Sequence, residues 1–306
     1  MIPNNLGYNK PLFILPFDHR SSFIKGLLQK EESQLLSEDR QFVKNQKKLI
    51  YQAFQKTIEL GIPKEEAAIL VDEEYGEEIL KDASLHGFNI LLTTEKTGQK
   101  EYTFQYGEDF GEHIKKHNPL FVKALIRYNP QDSDDSKKRQ QQTLKILSDF
   151  CQSNSVKLLI EPLIHPTEDQ LAQAGGDKEK YIDFQRPFLA AKLIEEIQDS
   201  GIEPDVWKLE GTKNRDGYER IVMAAQRNNR DNVNIVVLGG GQSREIVQEW
   251  IKTAAEVKGI IGFAVGRTVF WQPLLDLKEG RINKETTVGQ IADNFLNFYN
   301  LFKNKK

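Results

Sequence analysis

The feature that most constrains this chain is a rhythm. Eight short apolar runs, at residues 12–17, 67–71, 89–94, 121–128, 157–163, 204–211, 234–238 and 260–265, are nearly all followed by stretches with helical spacing. Short runs bounded by polar or glycine residues read as buried strands, and apolar residues recurring every three to four positions read as amphipathic helices. Strand and helix alternating eight times is the pattern of an α/β chain closed into a (β/α)8 TIM barrel, with its chemistry at the C-terminal ends of the strands. The 306 residues suit one barrel, and no composition break or low-complexity segment divides them, so a single domain over residues 1–306 is expected. An open doubly wound sheet is the alternative. Against it, the first strand-to-helix turn lacks the glycine-rich dinucleotide fingerprint such sheets often carry.

Between the runs, residues 21–36 read as a short excursion. Residues 38–60 read as the first long helix, opened by Ser37 as a cap and closed by Gly61 and Pro63. Helical spacing returns over 77–85, from about 131 to 152, and over 183–199, 216–227, 244–258 and about 287–302, while 167–180 reads as a long glycine-interrupted loop.

The formal net charge of -3 is spread as both signs along the chain, so no basic field argues for nucleic acid or a membrane surface. A phosphorylated small molecule stays open as the partner, because loops and one or two cations recognise it locally. Cys151 is the only cysteine, which removes an internal disulfide and a cysteine zinc site and suits a reducing compartment. The first ten residues lack the pattern of a secretion signal, and no apolar stretch reaches 18 residues. A cytoplasmic protein is expected. The sequence leaves a homo-oligomer open.

Within the sixth run, Lys208 and Glu210 stand two positions apart and so share a strand face, with Val206 one layer deeper. Charge buried there is paired or shifted in pKa. A lysine whose ammonium is disfavoured is a nucleophilic amine that forms a Schiff base with a carbonyl. A structural ion pair is the plainer reading of the same residues.

Collected at one end of a barrel, the polar residues of the runs form a rim: Asp18, Glu74, Lys123, Arg127, Glu161, Lys208, Glu210 and Arg267. Lys123 would be the cation that disfavours the ammonium of Lys208. Glu161, on the neighbouring strand, is placed for proton transfer, or else for a salt bridge to either lysine. Gly239-Gly240-Gly241-Gln242-Ser243 and Gly266-Arg267-Thr268 follow the seventh and eighth runs, where barrels frequently bind phosphate, and Arg267 would add a forked contact. Tight βα turns are the other reading of those glycines. His113 and His117 have a metal-compatible spacing but no evident third ligand, so no metal is assigned. His19 and His165 lie where a substrate contact or an ordinary loop role are both open; Trp207 and Trp271 read as packing.

Taken in order, these motifs resemble class I aldolases of the tagatose 1,6-bisphosphate aldolase type. They resemble more closely the aldolase-like domain fused behind some 5-dehydro-2-deoxygluconokinases. The matching stretches are Leu15-Pro16-Phe17-Asp18-His19-Arg20, Leu70-Val71-Asp72-Glu73-Glu74-Tyr75-Gly76, Lys123, Glu161-Pro162-Leu163, Lys208 and Gly266-Arg267-Thr268. The resemblance implies a class I aldolase that needs neither metal nor cofactor. In it Lys208 is the Schiff-base residue, Glu161 the proton carrier, and Lys123 and Asp18 their partners. Arg20, Arg127, Glu210, Gly240, Gly241, Gln242, Gly266 and Arg267 would hold substrate and phosphate. Gly239-Gly240-Gly241 stands where the aldolase has Ser-Ala-Gly, and Gly211 where it has an aliphatic residue. Both departures enlarge the site and bear on the substrate: a deoxy-keto-gluconate 6-phosphate, or tagatose or another ketose bisphosphate. Rival readings are a barrel isomerase or epimerase without covalent chemistry, and a non-catalytic sugar-phosphate-binding protein.

Overall fold

The computed structural model describes residue 3 and residues 5–304; residues 1, 2, 4, 305 and 306 of the expected domain lie outside the described residues. Eight parallel strands close into a barrel in sequence order: β1 (Leu12–Pro16), β2 (Ala67–Val71), β3 (Asn89–Thr93), β4 (Phe121–Arg127), β5 (Lys157–Leu163), β6 (Val206–Glu210), β7 (Asn234–Leu238) and β8 (Ile260–Ala264). The expected (β/α)8 TIM barrel is the observed fold.

The helices are α1 (Ser21–Leu28), α2 (Ser37–Glu59), α3 (Glu73–Leu85), α4 (Phe110–His117), α5 (Asp134–Asn154), α6 (Glu168–Gln173), α7 (Lys178–Lys180), α8 (Arg186–Asp199), α9 (Arg215–Gln226), α10 (Arg244–Ala255), α11 (Arg267–Lys278) and α12 (Lys284–Lys303). Three departures from the sequence reading stand out. Residues 21–36 contain α1, whose Phe23, Ile24 and Leu27 are buried at helical spacing. The expected loop 167–180 contains α6, started by the Thr167 side chain, which accepts from Gln170 N. Arg267 opens α11 rather than an irregular turn. At α2 the N-cap is Leu36 instead of Ser37, with Asp39 reaching back to accept from Leu36 N at 2.9 Å.

Alternation along the strands sorts side chains between two cores. Leu12, Ile14, Ala68, Leu70, Leu91, Phe121, Leu159, Val206 and Val236 fill the lumen. Residues of opposite parity, such as Phe13, Ile69, Val122, Ile160, Trp207 and Val237, pack with the helices in the larger cluster, which Trp271 joins from α11. The two tryptophans are packing residues, as read.

The segment before β1 stoppers the lumen's lower end. The Tyr8 ring meets Phe121 edge-on at 5.1 Å, and Tyr8 N donates to Asn232 O at 2.8 Å. Asp205, just ahead of β6, ties three segments: Oδ1 accepts from Gly7 N at 2.8 Å and lies 2.9 Å from Lys157 Nζ, and Oδ2 accepts from Leu158 N at 2.8 Å. Among the described residues, no helix is long and apolar enough to cross a membrane.

Candidate active site

The same alternation that fills the lumen with apolar side chains carries charge into its next layer. Two positions beyond Phe121, Leu159 and Val206, on the same faces, stand Lys123, Glu161 and Lys208. They are 2%, 6% and 4% exposed. They form the floor of a cavity of about 490 Å³ at the C-terminal end of the barrel, which is also lined by Asp18, His19, Arg20, Glu95, Arg127, His165, Glu210, Gly240, Gly241, Gly266 and Arg267.

Glu161 links the two lysines. Its Oε1 is 2.7 Å from Lys208 Nζ and its Oε2 is 3.0 Å from Lys123 Nζ. Lys123 also donates to Asp18 Oδ2 at 2.9 Å and to Glu95 Oε1 at 2.7 Å. Of the three donors of its ammonium, two are hydrogen-bonded to Asp18 and Glu95, and the Glu161 carboxylate adds an ion pair at 3.0 Å. Burial opposes its charge, but Asp18, Glu161 and Glu95 outweigh burial and hold the Lys123 pKa well above the ordinary lysine value. Burial would likewise raise the carboxyl groups. Instead Lys123, His19 and Lys208 keep Asp18 well below the usual carboxylate range, and Lys123 and Lys208 lower Glu161. Glu161 is therefore an ionised base at rest.

This arrangement alters the part expected of Lys123. The sequence reading made it a cation whose main effect is to disfavour the ammonium of Lys208. Its contacts make it a hub that fixes three carboxylates, one of which faces Lys208.

Glu95 was missed because it lies two residues past β3 in a loop whose backbone bridges to Phe104. The available signal was an acid set directly after the threonines at the end of an apolar run. Arg20 holds this loop by donating to Gln105 Oε1 at 2.9 Å and to Glu95 O at 2.5 Å. It lines the cavity, but these donors serve the loop. Glu210 was read as a partner of Lys208 or substrate, and its structural partner is Arg186 of α8, 3.2 Å away. Arg186 was not picked out from the sequence, since nothing in the helical pattern of α8 marks an arginine that turns inward.

The outer cations are Arg127 at the end of β4 and Arg267 at the start of α11, which follows β8 on the opposite side of the barrel. Arg127 lines the cavity while donating to Gln99 O at 2.9 Å. Arg267 lies over the loop after β7, where a Cβ on Gly241 would fall 2.4 Å from its Nη2. Gly241 also has φ of +76°, a conformation glycine adopts without strain. Gly266 and Arg267 place the start of α11 at the cavity, adding a helix N-terminus that favours anions. Gln242 is not among the lining residues, and its backbone N donates to Gly239 O within the turn. Glu74 does not join the rim either. It pairs with Arg40 at 3.0 Å on the helical layer, while Asp72 caps α3 and pairs with Lys47 of α2.

His113 and His117 close on one carboxylate, with Nδ1 of His113 2.6 Å and Nε2 of His117 3.1 Å from Glu73, which Lys116 also reaches at 2.8 Å. Their shared helix face serves an ion cluster between α3 and α4. Among the described residues, no group of three His, Cys, Asp or Glu is placed to hold a metal ion.

Two solved structures are similar over nearly the full length. One is a fructose-bisphosphate aldolase from Plasmodium falciparum, solved in complex with TRAP and a small-molecule inhibitor. It shares 15% identity at a TM-score of 0.67, over 97% of this chain and 92% of that one. The other is an archaeal fructose 1,6-bisphosphate aldolase, at 14% identity and a TM-score of 0.58 over 96% and 94%. At such identity the likeness is one of fold. Residues 5–306 match the family model described as "Uncharacterized protein conserved in bacteria (DUF2090)", and the chain belongs to that family.

Proposed function

We propose that this protein is a class I aldolase acting on a phosphorylated keto sugar or keto sugar acid. The observation that carries the reading is the ionised Glu161 carboxylate 2.7 Å from Lys208 Nζ at the floor of the cavity. The likeness of the barrel to the two aldolase structures supports it.

Glu161 takes a proton from the Lys208 ammonium, and the neutral amine adds to the substrate's keto carbon. The protonated carboxyl then gives its proton to the carbinolamine oxygen, so that water leaves and an iminium remains. As a carboxylate again, Glu161 accepts the proton of the hydroxyl next to the bond that breaks. That bond's electron pair flows to the iminium nitrogen, giving an enamine. Protonation of the enamine and hydrolysis release the second product and restore Lys208. The iminium is the electron sink, so the reading assigns no cofactor and no metal. Lys123 stays charged throughout, and Asp18 is within reach of a substrate hydroxyl.

Arg267, the glycine loop after β7 and the start of α11 suit a phosphate, and Arg127 on the opposite strand suits a second anionic group. Both candidate substrates carry anions at two ends: a deoxy-keto-gluconate 6-phosphate, cleaved to dihydroxyacetone phosphate and malonic semialdehyde, and a ketose bisphosphate. A cytoplasmic location fits such metabolites.

The test is to incubate the protein with dihydroxyacetone phosphate, reduce with borohydride and map the adduct by mass spectrometry. We expect it on Lys208 and expect none in Lys208→Met. No adduct, or one only elsewhere, sinks the mechanism, and turnover that survives Lys208→Met would point to an isomerase.

A further inference from the structure

His19 lines the cavity beside Asp18, just past the end of β1. Its Nδ1 is buried and has no hydrogen-bond partner. Asp18 Oδ1 faces it at 3.9 Å, beyond hydrogen-bond length, while the other Asp18 oxygen is held by Lys123 at 2.9 Å. A buried ring nitrogen left unpaired is costly, and such groups in native proteins have a reason. Catalytic-site hydrogen bonds are often long in the empty site and close when ligand binds.

The charged groups acting on the ring are Asp18 from its own strand end, Lys208 of β6, Arg267 at the start of α11 and Lys123 of β4. The side chain is 31% exposed, and the burial of the rest, together with the three cations and against the pull of Asp18, lowers the ring's pKa below the ordinary histidine value. The imidazole is thus neutral near neutral pH. A bound phosphate ester carries a charge of roughly −1.5 to −2 at pH 7, and beside Arg267 it would offset the cations that now suppress the ring's protonation. A protonated imidazole has two donors, which would serve two anions at once.

We propose that His19 is a further substrate-contacting residue, which takes up a proton as a phosphorylated ligand binds and then bridges Asp18 and the ligand's phosphate through its two ring nitrogens. The proposal rests on the phosphate lying at Arg267, as in the proposed function, but does not require the Schiff base.

Glycerol 3-phosphate, which has no carbonyl, is the probe. Its binding to the full chain at pH 7 is measured by titration calorimetry in buffers of different ionisation enthalpy. The wild type should take up about half a proton per ligand more than His19→Gln, in which only the phosphate's own ionisation contributes, if the ring's pKa rises to roughly 7 in the complex, near the ordinary histidine value. His19→Gln keeps a hydrogen-bonding side chain but does not titrate. Its affinity should be about tenfold lower at pH 6, where one pKa unit of coupling is worth a factor of ten, and closer to wild type at pH 9. In wild type alone, the His19 ring signals in NMR should shift from the neutral to the doubly protonated form. No binding, or the same proton exchange in wild type and His19→Gln, overturns the proposal. Borohydride trapping of wild type with dihydroxyacetone phosphate, run alongside, reports on Lys208. Failure there removes the aldolase reading and leaves proton uptake as an independent result.

Discussion

Replacing Lys123 by methionine tests the charge arrangement of the site most directly. Its ammonium meets carboxylate oxygens of Glu95, Asp18 and Glu161 at 2.7, 2.9 and 3.0 Å, and it is only 2% exposed. Removing one partner of a buried ion pair costs ~3–5 kcal/mol, and with Asp18 and Glu95 both losing their ammonium while Glu161 keeps Lys208 at 2.7 Å, this case lies at the upper end. At ~2 °C per kcal/mol, the lower slope suited to a long chain, the melting temperature should fall by roughly 10 °C at pH 7. The pH dependence carries the sharper signature. In wild type the depressed pKa values of Asp18 and Glu161 contribute stability that is present above the ordinary carboxylate range, about pH 4. It is lost as pH falls through the folded values, because the unfolded chain then binds more protons. Without Lys123 the crowded carboxylates should titrate above their ordinary range. The folded state would then be the one that gains protons, and Lys123→Met should become relatively more stable on going from pH 7 toward pH 5. Scanning calorimetry over that interval checks both. A melting temperature within 2 °C of wild type at pH 7, or a deficit that stays constant or widens toward pH 5, would refute the reasoning.

Glu161→Gln keeps the shape of the side chain and removes its basicity, so the rate of borohydride-trappable adduct formation should drop by about 10²- to 10⁴-fold; an unchanged rate would assign the proton elsewhere. Lys47 and Asp72 form a buried pair at 0% and 1% exposure. Lys47→Met should therefore cost ~3–5 kcal/mol in denaturant melts. The double variant Lys47→Met/Asp72→Leu should recover only part of this, because Asp72 also accepts from Tyr75 N at 2.9 Å to cap α3, a cap worth ~1 kcal/mol. The Cys151 thiol is buried, and burial pushes its pKa up, so its modification by a thiol reagent at pH 8 should follow global unfolding, and rapid labelling of the native protein would contradict the packing of α5.

The barrel was legible because its strands are buried on one face by the lumen and on the other by helices, which leaves continuous apolar runs such as residues 67–71 and 234–238. Lys123, Glu161 and Lys208 were legible for the same reason: each is a charge at an inward position of such a run. Side chains whose place depends on loop geometry were not. Glu95 reaches Lys123 only because the segment after β3 folds back to bridge Phe104, and Arg186 reaches Glu210 from a helix whose other buried residues are apolar except Gln198. The helix α11 hides behind Gly266-Arg267-Thr268, where glycine suggested a turn, and it carries an internal Pro273. Glu74 was misplaced because β2 runs directly into α3: Asp72 caps that helix and is held by Lys47 from α2, so Glu74 falls in its first turn, which alternation along a strand cannot reveal.

The stopper beneath the lumen bears on when the barrel can close. Gly7 and Asp205 are 198 positions apart, and the carboxylate that receives Gly7 N also receives Leu158 N. During synthesis the Gly7 amide therefore has no acceptor until residue 205 has left the ribosome, and the Tyr8 amide waits longer still for Asn232. Contacts this distant in sequence form late, because loop closure is costly until the intervening structure has condensed. The earliest residues of the described chain are thus among the last to find their places, and β1, which they precede, gains its second neighbour only when β8 arrives. Amide exchange on the refolding protein should show protection at Gly7 and Tyr8 trailing that of β4 and β5.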